Sequence, residues 1–481
     1  MLHAFPRSGG CGGFVRRGGA FAAFLFTLLG AIPSFGQAPQ SNARTFTLEE
    51  AVNYALANYP AVRAAVSQVN AAQANVGVAR TAYLPQANSL WQTNRGTRNN
   101  IFGQLLPQSV ISSLSGPVLP SASGTNVWGS AAGLLVSWEP FDFGLRGALV
   151  NIARASEART QTQAGITRLE VALAAVNAYL ALLAAQQIKE TARADVERRE
   201  VFARSVSVLV QNQLRPGADA SRAEADLAQA RIRLVQAQTS ENAGRVGLGI
   251  LLGLGGAGIE IVPGPLLKTP SQVSLPEQDP ARNPFALVQM ARVDEALARD
   301  QALASSYAPK FTLQSALSGR GSGAEANGET RGGAAGLDLQ RMNWAAGVQV
   351  TFPILQVFSI RAQQKVEQAN EATEKARYDQ ELQDITGQVA QARVGLQGAR
   401  QIAEQTPAEI VAARDAEQQT RARYDAGLAT LVEVSQAQSL LVQAEIDDAI
   451  ARLSVWRSLA GLAGAQGDLE PFLSLLRTAG P

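Results

Sequence analysis

The 481-residue chain has one cysteine and one histidine, and both, Cys11 and His3, sit near its start. One cysteine forms no intrachain disulfide, so no disulfide framework supports the fold. Beyond the first dozen residues, counting excludes a Cys/His zinc site, a cysteine nucleophile and a histidine general base. Only carboxylate chemistry survives that count, and no metal or cofactor is expected. Aromatics make up 6%, little for a protein built on one large compact core. The formal net charge of +2 carries no footprint of nucleic acid. After residue 36 no run of 18 or more apolar residues stands out, so no spanning helix is expected there.

What is present begins with a leader. Residues 1–36 contain Arg7, Arg16 and Arg17 and no acid. The apolar run Ala20–Ile32 follows, then small residues in "PSFGQ". Basic segment, short apolar segment and small-residue site are the order of a secretory signal, and a cut is expected after Gly36. The 13-residue run is shorter than the roughly 20 residues a spanning helix needs. Cys11 precedes the run, so it is not placed like a lipoprotein cysteine. The Arg16-Arg17 pair also fits a twin-arginine route. Removing three of the 42 basic residues leaves 39 against 40 acidic ones, a nearly neutral chain. An exported chain without a spanning helix is either soluble outside the cytoplasm or enters a membrane as a β-barrel.

Long helices dominate the rest. Ile166, Leu169, Leu173, Val176, Leu180 and Leu183 step by three and four, as do Leu382, Ile385, Val389, Ala392, Leu396, Ala399 and Ala403. This is the heptad pattern of coiled-coil packing. The first helix is expected from about Gly144 to Gln213, a rod of roughly 100 Å. Return helices carry small seam residues, Ala223, Leu227, Ala230, Leu234 and Ala237, then Leu431, Val434, Ala437, Leu441 and Ala444. Small seams let helices approach closely. Pro407 interrupts the second long pattern, so a restart capped by Thr406, or a kink, is expected there.

Strand signals come in two pairs. Trp128–Trp138 and Trp344–Phe352 alternate with period two and carry aromatics at both ends. Their partners are Gln86–Arg95 and Lys310–Gly319, each joined through a loop rich in Gly, Ser and Asn. Trp128, Trp138, Trp344 and Phe352 are candidate membrane-interface aromatics. The competing reading is a water-soluble sheet with one buried face. Two hairpins alone close no barrel, and open edges are forbidden in lipid. Several chains must therefore contribute, or the strands lie outside a membrane.

The chain also reads as a tandem repeat. Pro60 precedes Tyr83-Leu84-Pro85 at the same spacing as Pro284 precedes Tyr307-Ala308-Pro309. Each half runs helix, strand, loop, strand, long helix, tip, return helix. The divisions expected are a leader at 1–36, a first repeat at 37–254 and a connector at 255–283. A second repeat at 284–464 and a tail at 465–481 follow. The strand hairpins are placed at 86–139 and 310–352, and the helical tips near 213–218 and 427–431.

The stretches "FTLEEAVNYALANYP", "ARTAYLPQ", "VSWEPFDFG", "VQVTFPI" and "YDAGLATLVEVSQAQSLLVQAE" occur in this order between about residues 46 and 464. Through them the chain resembles TolC-like outer-membrane efflux proteins. The resemblance implies a mainly α fold with a membrane β-barrel. It implies a homotrimer in which each protomer gives four strands to one outer-membrane barrel, continued by a long periplasmic α-helical barrel. It also implies an exit duct, not an enzyme, in contact with outer-membrane lipid, a periplasmic adaptor and an inner-membrane transporter. The runner-up, a periplasmic adaptor, predicts one helical hairpin where this chain has two.

Both tips carry a carboxylate just past the turn, Asp219 and Glu433. The resemblance places Glu433 at the narrowed periplasmic entrance and matches Tyr424 to a tyrosine before the turn. The family's second acid is replaced by Gln436 and its basic tip residue by Ala429, which implies a more weakly latched, less cation-selective gate. Asp219 is the first-half equivalent by the internal repeat. Both acids also suit a helix N-terminus, where they oppose the macrodipole. The tip residues Gly427, Leu428, Ala429 and Thr430, with Leu214, Pro216 and Gly217, are candidates for adaptor contact. Cut after Gly36, the exported protein carries no thiol. Thiol titration of the denatured, envelope-purified chain is expected to read zero, and a reading near one per chain would mean that Cys11 is retained.

Overall fold

The computed structural model describes residues 44–99, 121–255, 258–270 and 275–478. The leader, its expected cut and most of the first strand-hairpin loop lie outside the described residues. All described elements belong to one unit, Ala43–Pro481.

The chain opens with a short strand β1 (Arg44–Phe46), then α1 (Leu48–Asn58) and α2 (Pro60–Arg80). Thr47 caps α1 in a capping box with Glu50, and Pro60 begins α2 where a missing N–H costs nothing. A strand hairpin follows, β2 (Gln86–Thr97) and β3 (Asn126–Trp138). The long helix α3 (Leu145–Gln211) and the return helix α4 (Gly217–Leu251) come next. After strand β4 (Ile259–Ile261), the same order recurs. It runs α5 (Pro284–Ser305), β5 (Lys310–Ser322), β6 (Arg341–Thr351), α6 (Val357–Asp425) and α7 (Leu431–Gln466). A last helix, α8 (Glu470–Thr478), ends the described chain.

The four long strands form one antiparallel sheet in the order β2-β3-β5-β6. Its register separates two faces. Trp91, Ala132 and Gly319 align on one side with Met342, as do Leu134, Leu317 and Trp344, and Trp138, Leu313 and Val348. This face is apolar and yet open, with Trp344 80% and Trp91 75% exposed. The other face holds Asn88, Gln92, Gln314, Ser318, Arg320, Arg341, Asn343 and Gln349. A soluble sheet buries its apolar face, whereas a membrane barrel turns it outward. From Phe311 to Gly319 the apolar face spans eight residue steps, about 26 Å along the strand. That height matches the roughly 25 Å apolar band of outer-membrane barrels. Phe141 and Phe143 pack on Phe311 at the helix-side end of the band, at 6.4 and 6.1 Å between ring centroids.

The helical core gathers around α3. Leu169, Val176, Tyr179, Leu180 and Leu183 are buried against α1, α4 and α7. By length and composition α3 is apolar enough to cross a membrane, which the sequence reading did not anticipate. Half of its most apolar window is buried inside this core, so packing accounts for the stretch. The Tyr179 hydroxyl donates to the carbonyls of Phe46 at 3.1 Å and Val262 at 2.5 Å. It thereby pins the parallel β1–β4 pair, an element absent from the sequence reading of the 255–283 connector.

Two expectations are corrected. α6 passes unbroken through Pro407, so Thr406 caps no new helix. Thr406 is buried and donates to Asp448 of α7 at 2.7 Å, while Pro407 lies on the exposed side of the helix. Its hydroxyl is thus engaged between helices and is not free to cap its own. The 465–481 tail is also more than a tail. α8 buries Phe472 against Trp456, and Arg477 bridges Glu49 and Glu470. Trp456 is fully buried and donates from Nε1 to the Lys268 carbonyl at 2.9 Å. Trp456→Ala is expected to cost about 3–5 kcal/mol, read as a lowered midpoint in denaturant unfolding. An unchanged midpoint would remove this contact from the core.

Candidate functional site at the helical tips

Each long helix ends in the same backbone reversal. Gln213 and Gly427 both adopt left-handed conformations, with φ of 62° and 80°. The next residues, Leu214 and Leu428, donate back to the carbonyls of Leu209 and Arg423 at 2.9 and 2.8 Å. This 6→1 bond closes the last helical turn, and glycine is the residue best suited to the position between. At the first tip a glutamine occupies it instead.

The two carboxylates sit at the same place, the third residue of the return helix, but they do different things. Thr430 caps α7, and Glu433 reaches back to the Thr430 hydroxyl at 3.0 Å in a full capping box. At α4 the capping position is Pro216, which has no N–H to donate and no side-chain acceptor. A capping box cannot form, and the Asp219 carboxylate accepts instead from the Tyr424 hydroxyl of the other hairpin at 3.2 Å.

Tyr424 is fully buried at this junction. Phe202 meets its ring edge-on at 5.6 Å, and the Arg215 guanidinium lies 4.2 Å over its face. Arg215 also donates to the Tyr424 carbonyl. Burial, reinforced by the Asp219 charge, pushes the Tyr424 hydroxyl up to about 12 from the ordinary 10. The hydroxyl is therefore a neutral donor at physiological pH. Above the tip, further polar bridges join the hairpins. Ser435 bonds Asp226, Arg198 pairs with Glu445 at 2.9 Å, and Arg199 reaches Ser439 at 3.3 Å while paired with buried Asp195.

The structure thus brings Asp219 and Tyr424 together. Glu433 is occupied by its own cap, and Gln436 lies exposed one turn further along α7. Ala429 is buried, in one cluster with Leu431, Val434 and Tyr424. Leu214 and Leu428 are the exposed apolar residues of the tips, at 68% and 70%, beside exposed Pro216, Gly217, Gly427 and Thr430. The sequence reading missed Arg215, which puts a cation at the tip although Ala429 stands where one was sought. Its signal was the run Arg215-Pro216-Gly217, with Asp219 one turn on. Of the strand aromatics, Trp344 and Phe352 are open to the outside, and Trp138 donates to the Tyr83 carbonyl at 3.1 Å. Trp128 is half-buried and lies 5.3 Å from the Arg95 guanidinium. Among the described residues no group of His, Cys, Asp and Glu is placed to hold a metal.

A two-faced sheet with long helical hairpins running from it defines a membrane channel protein with an extramembrane helical extension. The outer membrane efflux protein family matches residues 51–254 and 275–468, and this chain belongs to that family. It is an outer-membrane protein whose helices extend into the periplasm. Protein CyaE of Bordetella pertussis is 27% identical over 243 residues, 47% of this chain. The match spans 44% of that relative, a little under half its length. Among solved structures, CusC superposes with a TM-score of 0.71 at 15% identity, covering 88% of this chain and 92% of that one. The outer-membrane protein VceC of Vibrio cholerae gives 0.67 at 18% identity, covering 88% and 96%.

A raised tyrosine pKa adds stability that is complete below pH 10 and lost as the pH climbs from 10 through 12. The tip contact is therefore expected to loosen across that window, read as increased proteolysis at residues 211–217 and 425–431. Tyr424→Phe removes the hydroxyl and should open the same bonds to protease at neutral pH by about ten- to hundredfold, for a hydrogen bond to a charged group worth roughly 1.5–3 kcal/mol. Equal cleavage of variant and parent would show that the Asp219 bond does not hold the tip.

Proposed function

We propose that the chain is the exit duct of a tripartite efflux or secretion assembly, formed by three copies and closed at the periplasmic end by its helical tips. The carrying observation is the sheet, whose apolar face is open and whose strands β2 and β6 have no partner along their outer edges among the described residues. Unpaired edges are not tolerated in hydrocarbon. Three copies joined edge to edge would make a barrel of twelve strands with the polar face around a lumen.

The helical layer supports the same head-to-tail closure. α3 packs on α4 and α7, and α7 packs on α6, so α4 and α6 are the outer flanks. Both flanks carry exposed apolar residues, Ile232, Val235, Val246 and Ile250 on one and Val394, Ile402 and Val411 on the other. These stripes would meet between neighbouring copies. The recurrence of the element order, helix, two strands, long helix and return helix, supports descent from a tandem duplication.

In this reading the tips of three chains converge on the duct axis. Asp219, Tyr424 and Arg215 hold one hairpin to the other, and Glu433 with Gln436 lines the entrance. The exposed Leu214 and Leu428 receive a periplasmic adaptor, which joins the duct to an inner-membrane transporter. The chain acts as a conduit and performs no chemistry on its cargo.

Single-channel recording of purified chain in a planar bilayer tests the duct. Discrete, uniform steps are expected, larger in Tyr424→Phe than in the parent, and Glu433→Gln should lower cation preference if its charge faces the lumen. Folded, inserted protein that passes no current even as Tyr424→Phe would sink the proposal.

A further inference from the structure

The four strands of the sheet contain no acidic residue. Their polar face nevertheless holds three cations, Lys310, Arg320 and Arg341. Lys310 pairs with Thr351 at the helix-side end, and Arg320 stands directly opposite Arg341 ten residues further along, about 33 Å away. Like charges facing each other across a ladder are destabilising. No carboxylate of the strands offsets them, and Nη1 of Arg320 is buried without a hydrogen-bond partner.

Two of the three acids of the β5–β6 loop, Asp338 and Glu325, are engaged elsewhere. The carbonyl of Asp338 accepts from the Ser130 hydroxyl at 3.4 Å, over the apolar face, and its carboxylate accepts from Gly336 and Gln340. Glu325 is paired with Arg331. Two arginines opposite each other in the ladder, one with a buried guanidinium nitrogen that meets no acceptor, have the chemistry of an anion site. Rings of arginine are also how pores select for anions.

We propose that Arg320 and Arg341 form an anion-binding level at the far end of the lumen, suited to anions that bear carboxylate or phosphate groups. The proposal rests on the duct reading, which turns the polar face inward and brings six guanidiniums from three copies to one level. The lumen is then positive toward its outer mouth, at the level of these arginines.

Citrate is the probe. Titrated calorimetrically into the folded, detergent-solubilised full chain at low salt, it is expected to bind saturably and to weaken as salt screens the site. Arg320→Gln with Arg341→Gln should reduce that affinity at least about tenfold, as expected for losing charge-assisted bonds, while Arg331→Gln leaves it unchanged. If the double variant fails to fold, Arg341→Gln alone, at an exposed position, should give part of the loss. No saturable binding, or binding indifferent to both arginines, overturns the site. In bilayers, citrate added on the barrel side should reduce the current of the parent and not of the double variant. A conducting channel that neither binds nor is blocked by citrate sinks this site alone. Citrate binding through these arginines in a protein that never conducts keeps the site and sinks the duct.

Discussion

A backbone N–H or C=O left unpaired in hydrocarbon costs several kcal/mol. This constraint organises the molecule. The sheet pairs the backbone of β3 and β5 on both sides, and its apolar face is open where a soluble protein would cover it. Among the described residues β2 and β6 are each unpaired along one edge, and in the proposed duct those edges meet other copies. The polar face, with its amides, hydroxyls and arginines, then lines the proposed passage.

The helices answer a different problem. α3 and α6, of 67 and 69 residues, cannot fold back on themselves without breaking, and neither breaks. Each buries apolar residues at heptad-like spacing against its neighbours. Gly244 of α4 faces α3, where a Cβ would lie 3.4 Å from the Leu182 backbone. The broad core around Tyr179, Trp456 and Phe472 forms where α1, α8 and the β1–β4 pair thicken the wall. That is where most of the large buried side chains of a chain otherwise poor in aromatics are gathered.

At the tips, two reversals of one backbone shape have diverged through a single residue. Thr430 offers α7 a hydroxyl and an N–H, so Glu433 folds back onto its own helix. Pro216 offers α4 neither, which leaves Asp219 to reach Tyr424 across the hairpins. Proline at the cap thus frees a carboxylate for an interaction between elements. The arginine that lies over the tyrosine ring comes from the same Pro-Gly turn. The contact is local in construction and joins residues about 200 positions apart in the chain.

Much of this was legible in the sequence, because the periodicities are strong. Heptads of small and branched residues can only be long packed helices, and alternation ended by aromatics marks the strands to within a few residues. The recurrence of the strand pairs could be read without coordinates. Pairing was not legible. Nothing local joins β3 to β5, since register arises from cross-strand fit between residues far apart in sequence. The short β1–β4 pair, α8, Arg215 at the tip and the facing Arg320 and Arg341 were invisible for the same reason. Thr406 and Pro407 look like a helix start along the chain, and only the carboxylate of Asp448 on the neighbouring helix makes them part of one that continues. The sequence by itself determined where the long helices and long strands lie and which strand face is apolar. Tertiary structure alone decided which partners those faces and charges meet, because contact between distant residues is a property of packing and not of any local stretch.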